Sequence, residues 1–270
     1  MKRAMLATLV VVLGLSAVVL GGCYRKELPE DQKIVLSDTW GIDLGSIDHE
    51  KVATGDTTNR TVTIPLGGAG ALEASIRMGA GQLRLEAVGS DALNADFEYR
   101  PSSLKPEVSY DVASEDPAVG TLSVRQPDQS DFLFSNAKNT WDLQLAQGVP
   151  LDLDVDLGAG EGRLILGGSG LRELKMNMGA GDTTIDFSGN WDHDVSAYLQ
   201  AGVGQITLRL PADVGVRVDG RRSGIGDFTA DSGFQSDGDA FVNRAYGETS
   251  STIEISVQRG IGEVRLETVR

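Results

Sequence analysis

The sequence predicts an all-β chain: a solenoid-like stack of strands, of the β-helix type, with Gly-x-Gly turns. Three observations carry that expectation. Six of the Gly-x-Gly triplets, beginning at Gly79, Gly158, Gly179, Gly202, Gly224 and Gly260, set the repeat, and the four in the middle follow one another at intervals of 21, 23 and 22 residues. A near-constant period of this length marks one supersecondary unit stacked repeatedly. Around the triplets, apolar and polar residues alternate with the period of a strand that buries one face. From Ala71 onward no stretch carries the apolar period of an amphipathic helix.

The chain begins with a leader. Lys2 and Arg3 precede an apolar run from Ala4 to Leu20, and small residues lead up to Cys23. That is the layout of a secretory signal peptide over residues 1–22, too short and wrongly flanked for a permanent span. The tetrad Leu20-Gly21-Gly22-Cys23 resembles the lipobox of bacterial lipoproteins, which implies cleavage before Cys23 and acylation of its thiol and amine, palmitate included. Cys23 is the only cysteine, so no disulfide is available and lipidation accounts for a lone extracytoplasmic thiol. Two or more acyl chains would hold the protein stably on a membrane. The expected location is therefore extracytoplasmic, anchored to the cell membrane or outer membrane. Tyr24 rather than Asp after the cysteine is compatible with outer-membrane sorting.

Residues 23–60 read as a polar tether with few apolar runs, Trp40 among them. The formal charge of −15 becomes −17 once Lys2 and Arg3 leave with the leader. An acidic body without a basic block is repelled by nucleic acid, which is excluded as a partner.

Residues 61–270 form the repeat domain. Two places after the second glycine stand Leu83, Gly162, Thr183, Ile206, Phe228 and Val264, and four places after it Leu85, Leu164, Ile185, Leu208, Ala230 and Leu266. The residues between them are Arg or Thr in all six copies, so one face points inward. The second glycines, Gly81, Gly160, Gly181, Gly204, Gly226 and Gly262, suit a corner that demands positive φ. A phosphate cradle would need a helix to follow them, and strands follow instead. Upstream, the apolar pattern fails in the fifth copy, with Ser223 and Arg221, and half-fails in the sixth, with Arg259. The fifth copy's upstream strand is therefore expected to bulge or change register.

Two excursions interrupt the period, at residues 88–147 and 231–250, and long departures from a regular scaffold are where function tends to sit. Within the first, Gly120–Val124 reads as a decayed repeat. The last strand pattern runs almost to Arg270 with no capping segment, so an open final rung is expected to invite pairing with a partner or a second copy.

Candidate sites are sparse. The residue after each second glycine is Gln82, Glu161, Asp182, Gln205, Asp227 or Glu263, a column of which Glu161, Asp182, Asp227 and Glu263 could hold Ca²⁺. The plainer reading is that these side chains finish the corner by bonding backbone N–H groups. No other cofactor is expected. With two histidines and no second thiol, zinc and Cys/His nucleophilic sites are poorly supplied, and the chain reads as no enzyme. His193, between Asp192 and Asp194, reads as part of a solvated turn. Trp141, with Phe234, Phe241 and Tyr246 of the second excursion, are candidate binding aromatics, alongside Trp40 and Trp191 for a sugar surface.

Several segments occur together in a telling order: Met78–Leu85 around Gly79-Ala80-Gly81, Trp141-Asp142-Leu143, Val149–Leu153, Leu157–Glu161, Leu171–Met176 and Met178–Asp182. Over roughly residues 60–190 this resembles the toast-rack domain family, which includes domains of LiaF-like cell-envelope stress proteins and adhesin-type proteins. The resemblance implies a β-rich domain with no catalytic residues to carry over. It departs from LiaF-like proteins, which reach the membrane through several helices. The combined expectation is a lipid-anchored, non-catalytic structural or protein-interaction module at the cell envelope, linked to envelope stress, with a surface adhesin or glycan binder as the alternative. Its expected partners are the membrane, through the lipid, and an envelope protein or a second copy.

Overall fold

The computed structural model describes residues 51–52, 55–113, 117–127, 134–220 and 224–269, apart from the side chains of 51–52 and 134–135. Residues 1–50, with the expected leader, Cys23, Trp40 and His49, and also Arg221 and Ser223, lie outside them. Five long strands dominate: β3 (Ala71–Gly89), β9 (Leu151–Ile165), β10 (Leu171–Asp186), β11 (Val195–Pro211) and β16 (Thr252–Val269). At 15 to 19 residues they are about three times the usual strand length. They pair in parallel in the spatial order β16-β11-β10-β9-β3. Gly81, Gly160, Gly181, Gly204 and Gly262 lie opposite one another in a single line across them.

The triplets of these five strands thus each sit inside one continuous strand rather than between two. Met78 and Leu83 are both buried although they stand five positions apart, an odd offset. An unbroken pleat would put them on opposite faces. The positive φ at Gly81 (148°), Gly160 (133°), Gly181 (129°), Gly204 (141°) and Gly262 (152°) turns the pleat over, so both halves of every long strand feed one core. β9, β10, β11 and β16 bury Leu157, Met178, Ala201 and Val257 before the corner and Leu164, Ile185, Leu208 and Leu266 after it.

Close stacking adds a second reason for glycine. A Cβ on Gly158, Gly179, Gly202 or Gly260 would stand 2.3–2.4 Å from the carbonyl oxygen of the equivalent glycine in the rung before. On Gly160, Gly181, Gly204 or Gly262 the gap falls to 1.7–1.9 Å. Both are far inside van der Waals contact.

The short strands complete the two halves. At one end β6 (Val119–Arg125) continues the stack beside the first half of β3, and β8 (Lys138–Ala146) beside the second. Gly120–Val124 is thus half a rung, as its pattern suggested. β5 (Glu107–Val112) then pairs antiparallel with β6, while β4 (Leu93–Arg100) and β2 (Thr58–Ile64) extend β8. The 88–147 excursion is part of the same sheet. A two-residue pairing of β1 (Lys51–Val52) with β7 (Phe134–Ser135) and one 3-10 turn at Ser102–Leu104 account for the other elements on this side.

The other end corrects the sequence reading. The C-terminal strand β16 is not an open edge. It lies between β11 on one side and, on the other, β12 (Gly215–Asp219) and β13 (Phe228–Ala230), so the fifth triplet forms the outermost rung and the sixth an interior one. The fifth copy's upstream strand, β12, ends at Asp219, where the sequence pattern fails; Ile225 still bridges to Ile261. The 231–250 excursion supplies the hairpin β14 (Phe234–Asp237) and β15 (Ala240–Asn243), which adds to β12 and caps this half of the sheet. Arg259 stands where earlier copies carry Met78, Leu157, Met178 and Ala201. It donates to the carbonyls of Gly226 (2.9 Å) and Asp227 and lies over the Phe228 ring at 5.5 Å, which fastens the outermost corner.

Asp231 fastens the same rung to the end of β16. It accepts from the Thr268 N–H (2.6 Å), the Thr268 hydroxyl (2.7 Å) and the Gly233 N–H (2.9 Å). Burial works to raise this carboxyl, but those donors outweigh it and hold it below the usual carboxylate range.

Two predictions follow the stacking and its clamp. Gly181→Ala should lower the urea-unfolding free energy by about 3 kcal/mol or more, from positive-φ strain plus overpacking. Gly148→Ala, whose added Cβ meets nothing within 4 Å, should change it by less than about 0.5 kcal/mol. Because the folded Asp231 carboxyl is depressed, its contribution is present above the unfolded carboxylate value of about 3.9 and is lost as pH falls through the folded value. The stability gap between wild type and Asp231→Asn should therefore be full in melts at about pH 6 and shrink at about pH 3.

Candidate functional site

The line of corners organises the surface. On one side of it the outward residues of the first strand halves form a ladder, Arg77, Asp156, Asn177, Gln200 and Gln258, in register across five rungs. On the other side the middle residues of the triplets form a ridge that grows from Ala80, Ala159 and Ala180 through Val203 to Ile261 and Ile225. Ile225 is 70% exposed and Ile261 48%, so the ridge is most apolar at this end. Between ladder and ridge the first glycines carry no side chain. The result is a trough of about 680 Å³ floored by Gly158, Gly179, Gly202 and Gly260.

Beyond the ridge runs the column expected from the sequence: Gln82, Glu161, Asp182, Gln205 and Glu263 are in register, with Asp227 next along. Its members bond to neighbouring rungs. Gln82 donates to Glu161 (3.3 Å), and Asp182 accepts from the backbone N–H of Gln205 (3.2 Å). Gln205 separates Asp182 from Glu263, and among the described residues no three His, Cys, Asp or Glu side chains gather as a metal site.

The aromatic candidates serve the core. Trp141 is fully buried, stacks edge-on to Phe97 at 5.6 Å and donates its indole N–H to Asn139 Oδ1 (2.8 Å), so it cannot present a binding face. Asn139 in turn donates to the Ala80 carbonyl (2.7 Å) and to Gln126 Oε1 (2.9 Å), which accepts from the Gly79 N–H (3.0 Å). These two amides stand where the split first rung has no Gly-x-Gly of its own. Trp191 is buried and donates to the Phe187 carbonyl (2.8 Å). Phe241 stacks on Phe228 at 5.6 Å, Phe234 packs at the core margin, and Tyr246 lies 6.0 Å from the Arg217 guanidinium. Arg217 also pairs with Asp219 (3.0 Å) and Asp237 (2.8 Å), which ties the hairpin to β12.

His193 is not a solvated turn residue alone. Its Nδ1 faces Asp192 (2.8 Å) and its Nε2 the Leu171 carbonyl (2.7 Å), while Asp194 accepts from the Thr252 N–H (2.9 Å). The hydrogen bond from His193 holds the Asp192 carboxyl below its usual range. His193 and Asp194 thus tie rung connections together. The exposed residue that sequence reasoning passed over is Tyr198, 54% exposed on the same outward face as Gln200 and two residues before it. Its alternation with buried Ala197 and Leu199 was a usable signal.

Residues 53–209 match the profile described as the N-terminal domain of toast_rack, DUF2154. The chain belongs to this family. The match covers more than half of the sequence and ends within β11, so the last rungs and the capping hairpin lie beyond it. Comparison with curated proteins finds no match. Among solved structures, a "putative cell adhesion protein" from Clostridium sporogenes is 26% identical, superposes with a TM-score of 0.73, and aligns over 79% of this chain and all of that one. A "putative adhesin" from Bacteroides fragilis is 12% identical (TM-score 0.25; 80% of this chain, 99% of that one), and one from Parabacteroides merdae 14% (TM-score 0.23; 82% and 99%). Among the described residues of this toast_rack domain, no helix is long and apolar enough to cross a membrane.

Asn139→Ala would strand the buried Trp141 indole N–H and take the side-chain donor away from the Ala80 carbonyl. It should cost about 1–3 kcal/mol in chemical denaturation and leave the exposed trough unchanged.

Proposed function

We propose that this toast_rack domain is a non-catalytic binding module at the cell envelope, held there by acylated Cys23 and used for adhesion. The observation that carries the reading is the trough: an open, side-chain-free floor repeated in register over four rungs. A repeated open surface suits an extended ligand, whereas catalysis needs a few titratable groups converging on one reacting atom. The likeness to the Clostridium sporogenes protein, whose whole length aligns with this chain, supports adhesion. The lipobox-like Leu20–Cys23 supports the anchor.

A role in envelope stress rests only on the LiaF-like resemblance, and the shared fold does not carry it. A protein partner remains the second reading, favoured by the apolar end of the ridge at Ile225 and Ile261.

The test has two arms. Cys23→Ala should move the protein from the membrane fraction to the soluble one and abolish labelling by a fatty-acid analogue; retention with full labelling would refute the anchor. Cells producing the wild-type chain should bind glycan-coated or cell-coated surfaces more than cells producing the Cys23→Ala chain. Equal binding would refute the adhesive role.

A further inference from the structure

We infer that the trough binds an uncharged, extended, β-linked pyranose chain laid along the stacking axis, with one sugar ring per rung. This rests on the binding-module reading above and names its ligand class.

The ladder beside the trough holds three carboxamides in register, Asn177, Gln200 and Gln258. Each can donate and accept in one plane, the pattern that vicinal sugar hydroxyls present. Asn177 donates to Asp156 (2.8 Å) and retains its carbonyl oxygen as an acceptor. Among the described residues no hydrogen bond occupies the Gln200 or Gln258 carboxamide. Their repeat along the axis is the inter-strand distance of about 4.8 Å, close to the advance of one ring in an extended β-linked chain. The glycine floor lets rings approach the backbone, because no Cβ projects at Gly179, Gly202 or Gly260.

Charge selects against other polymers. The ionised ladder members, Asp156 and Arg77, lie 3.4 Å apart and compensate each other, and the other charged residue lining the trough, Arg259, is engaged with the Gly226 and Asp227 carbonyls. The chain as a whole carries −15, which repels polyanions. Beside Gln200, the Tyr198 ring offers an apolar face with a polar tip at the outer rim, suited to the C–H face of a sugar.

The experiment titrates the full-length, detergent-solubilised chain with cellohexaose, with chitohexaose, with cellobiose, and with carboxymethylated cello-oligosaccharide, by calorimetry. The neutral hexasaccharides carry the same ring repeat with and without acetamido groups, so the pair shows which substituent the amides read. Saturable binding of at least one hexasaccharide is expected, with cellobiose weaker because it spans two rungs and the carboxymethylated chain weaker still. The double variant Gln200→Ala/Gln258→Ala should bind roughly tenfold more weakly or worse, since two net hydrogen bonds are removed, at an unchanged Tm. Tyr198→Ala should weaken binding in the same direction.

No saturable binding of either neutral hexasaccharide, equal binding of the carboxymethylated one, or a double variant that binds like wild type would each overturn the inference. If those results came with intact adhesion by wild-type cells in the previous test, the ligand would be wrong and the binding-module reading would stand. Loss of adhesion as well would remove both.

Discussion

The structure depends on one close approach: the backbone of each Gly-x-Gly lies against the carbonyls of the same corner in the rung before. At 1.7–2.4 Å from that oxygen there is no room for a β-carbon, and at the second glycine the left-handed φ would strain any other residue as well. Because the corner turns the pleat over, it also decides that both halves of a long strand face one core. Fold, register and core are consequences of the same contact. Strand register is ordinarily set by which face is apolar; here the corner adds a steric check that admits a single alignment.

The same contact makes the surface. Removing side chains from the corner leaves a floor, and the pleat then places polar residues as a ladder on one side and small apolar residues as a ridge on the other. None of this is a pocket in the enzymatic sense. Binding along such a surface accumulates from repeated weak contacts, so it depends on how many rungs a ligand spans.

The ends show what the corner alone cannot do. Where the first rung is split between β6 and β8, Gln126 and Asn139 replace the missing triplet with a buried amide network, and Trp141 is drawn into it. Where the last rung is split between β12 and β13, Arg259 and Asp231 fasten it to β16 through backbone carbonyls and N–H groups. Exposed β-edges invite unwanted pairing, and the antiparallel additions β5, β4–β2 and β15–β14 follow the stack at its ends. The excursions that the sequence marks as functional therefore serve largely as caps.

The sequence by itself determined the repeating unit. The alternation of Leu164 with Arg163, or Ile185 with Thr184, reports which face is buried, and the glycine intervals report the stack, because both are local consequences of pleat and sterics. The +1 column from Gln82 to Glu263 was legible for the same reason. Only the tertiary structure decided the order of the rungs. Nothing local in Thr252–Val269 says that it enters between β11 and β12, since a parallel strand has the same pattern inside a stack as at its edge. Nor could alternation distinguish a Trp141 that covers the core from one that faces a ligand, because that depends on which strands lie beside it. Gln200, Gln258 and Tyr198 look like ordinary outward residues along the chain. They become a surface only when neighbouring rungs bring them side by side.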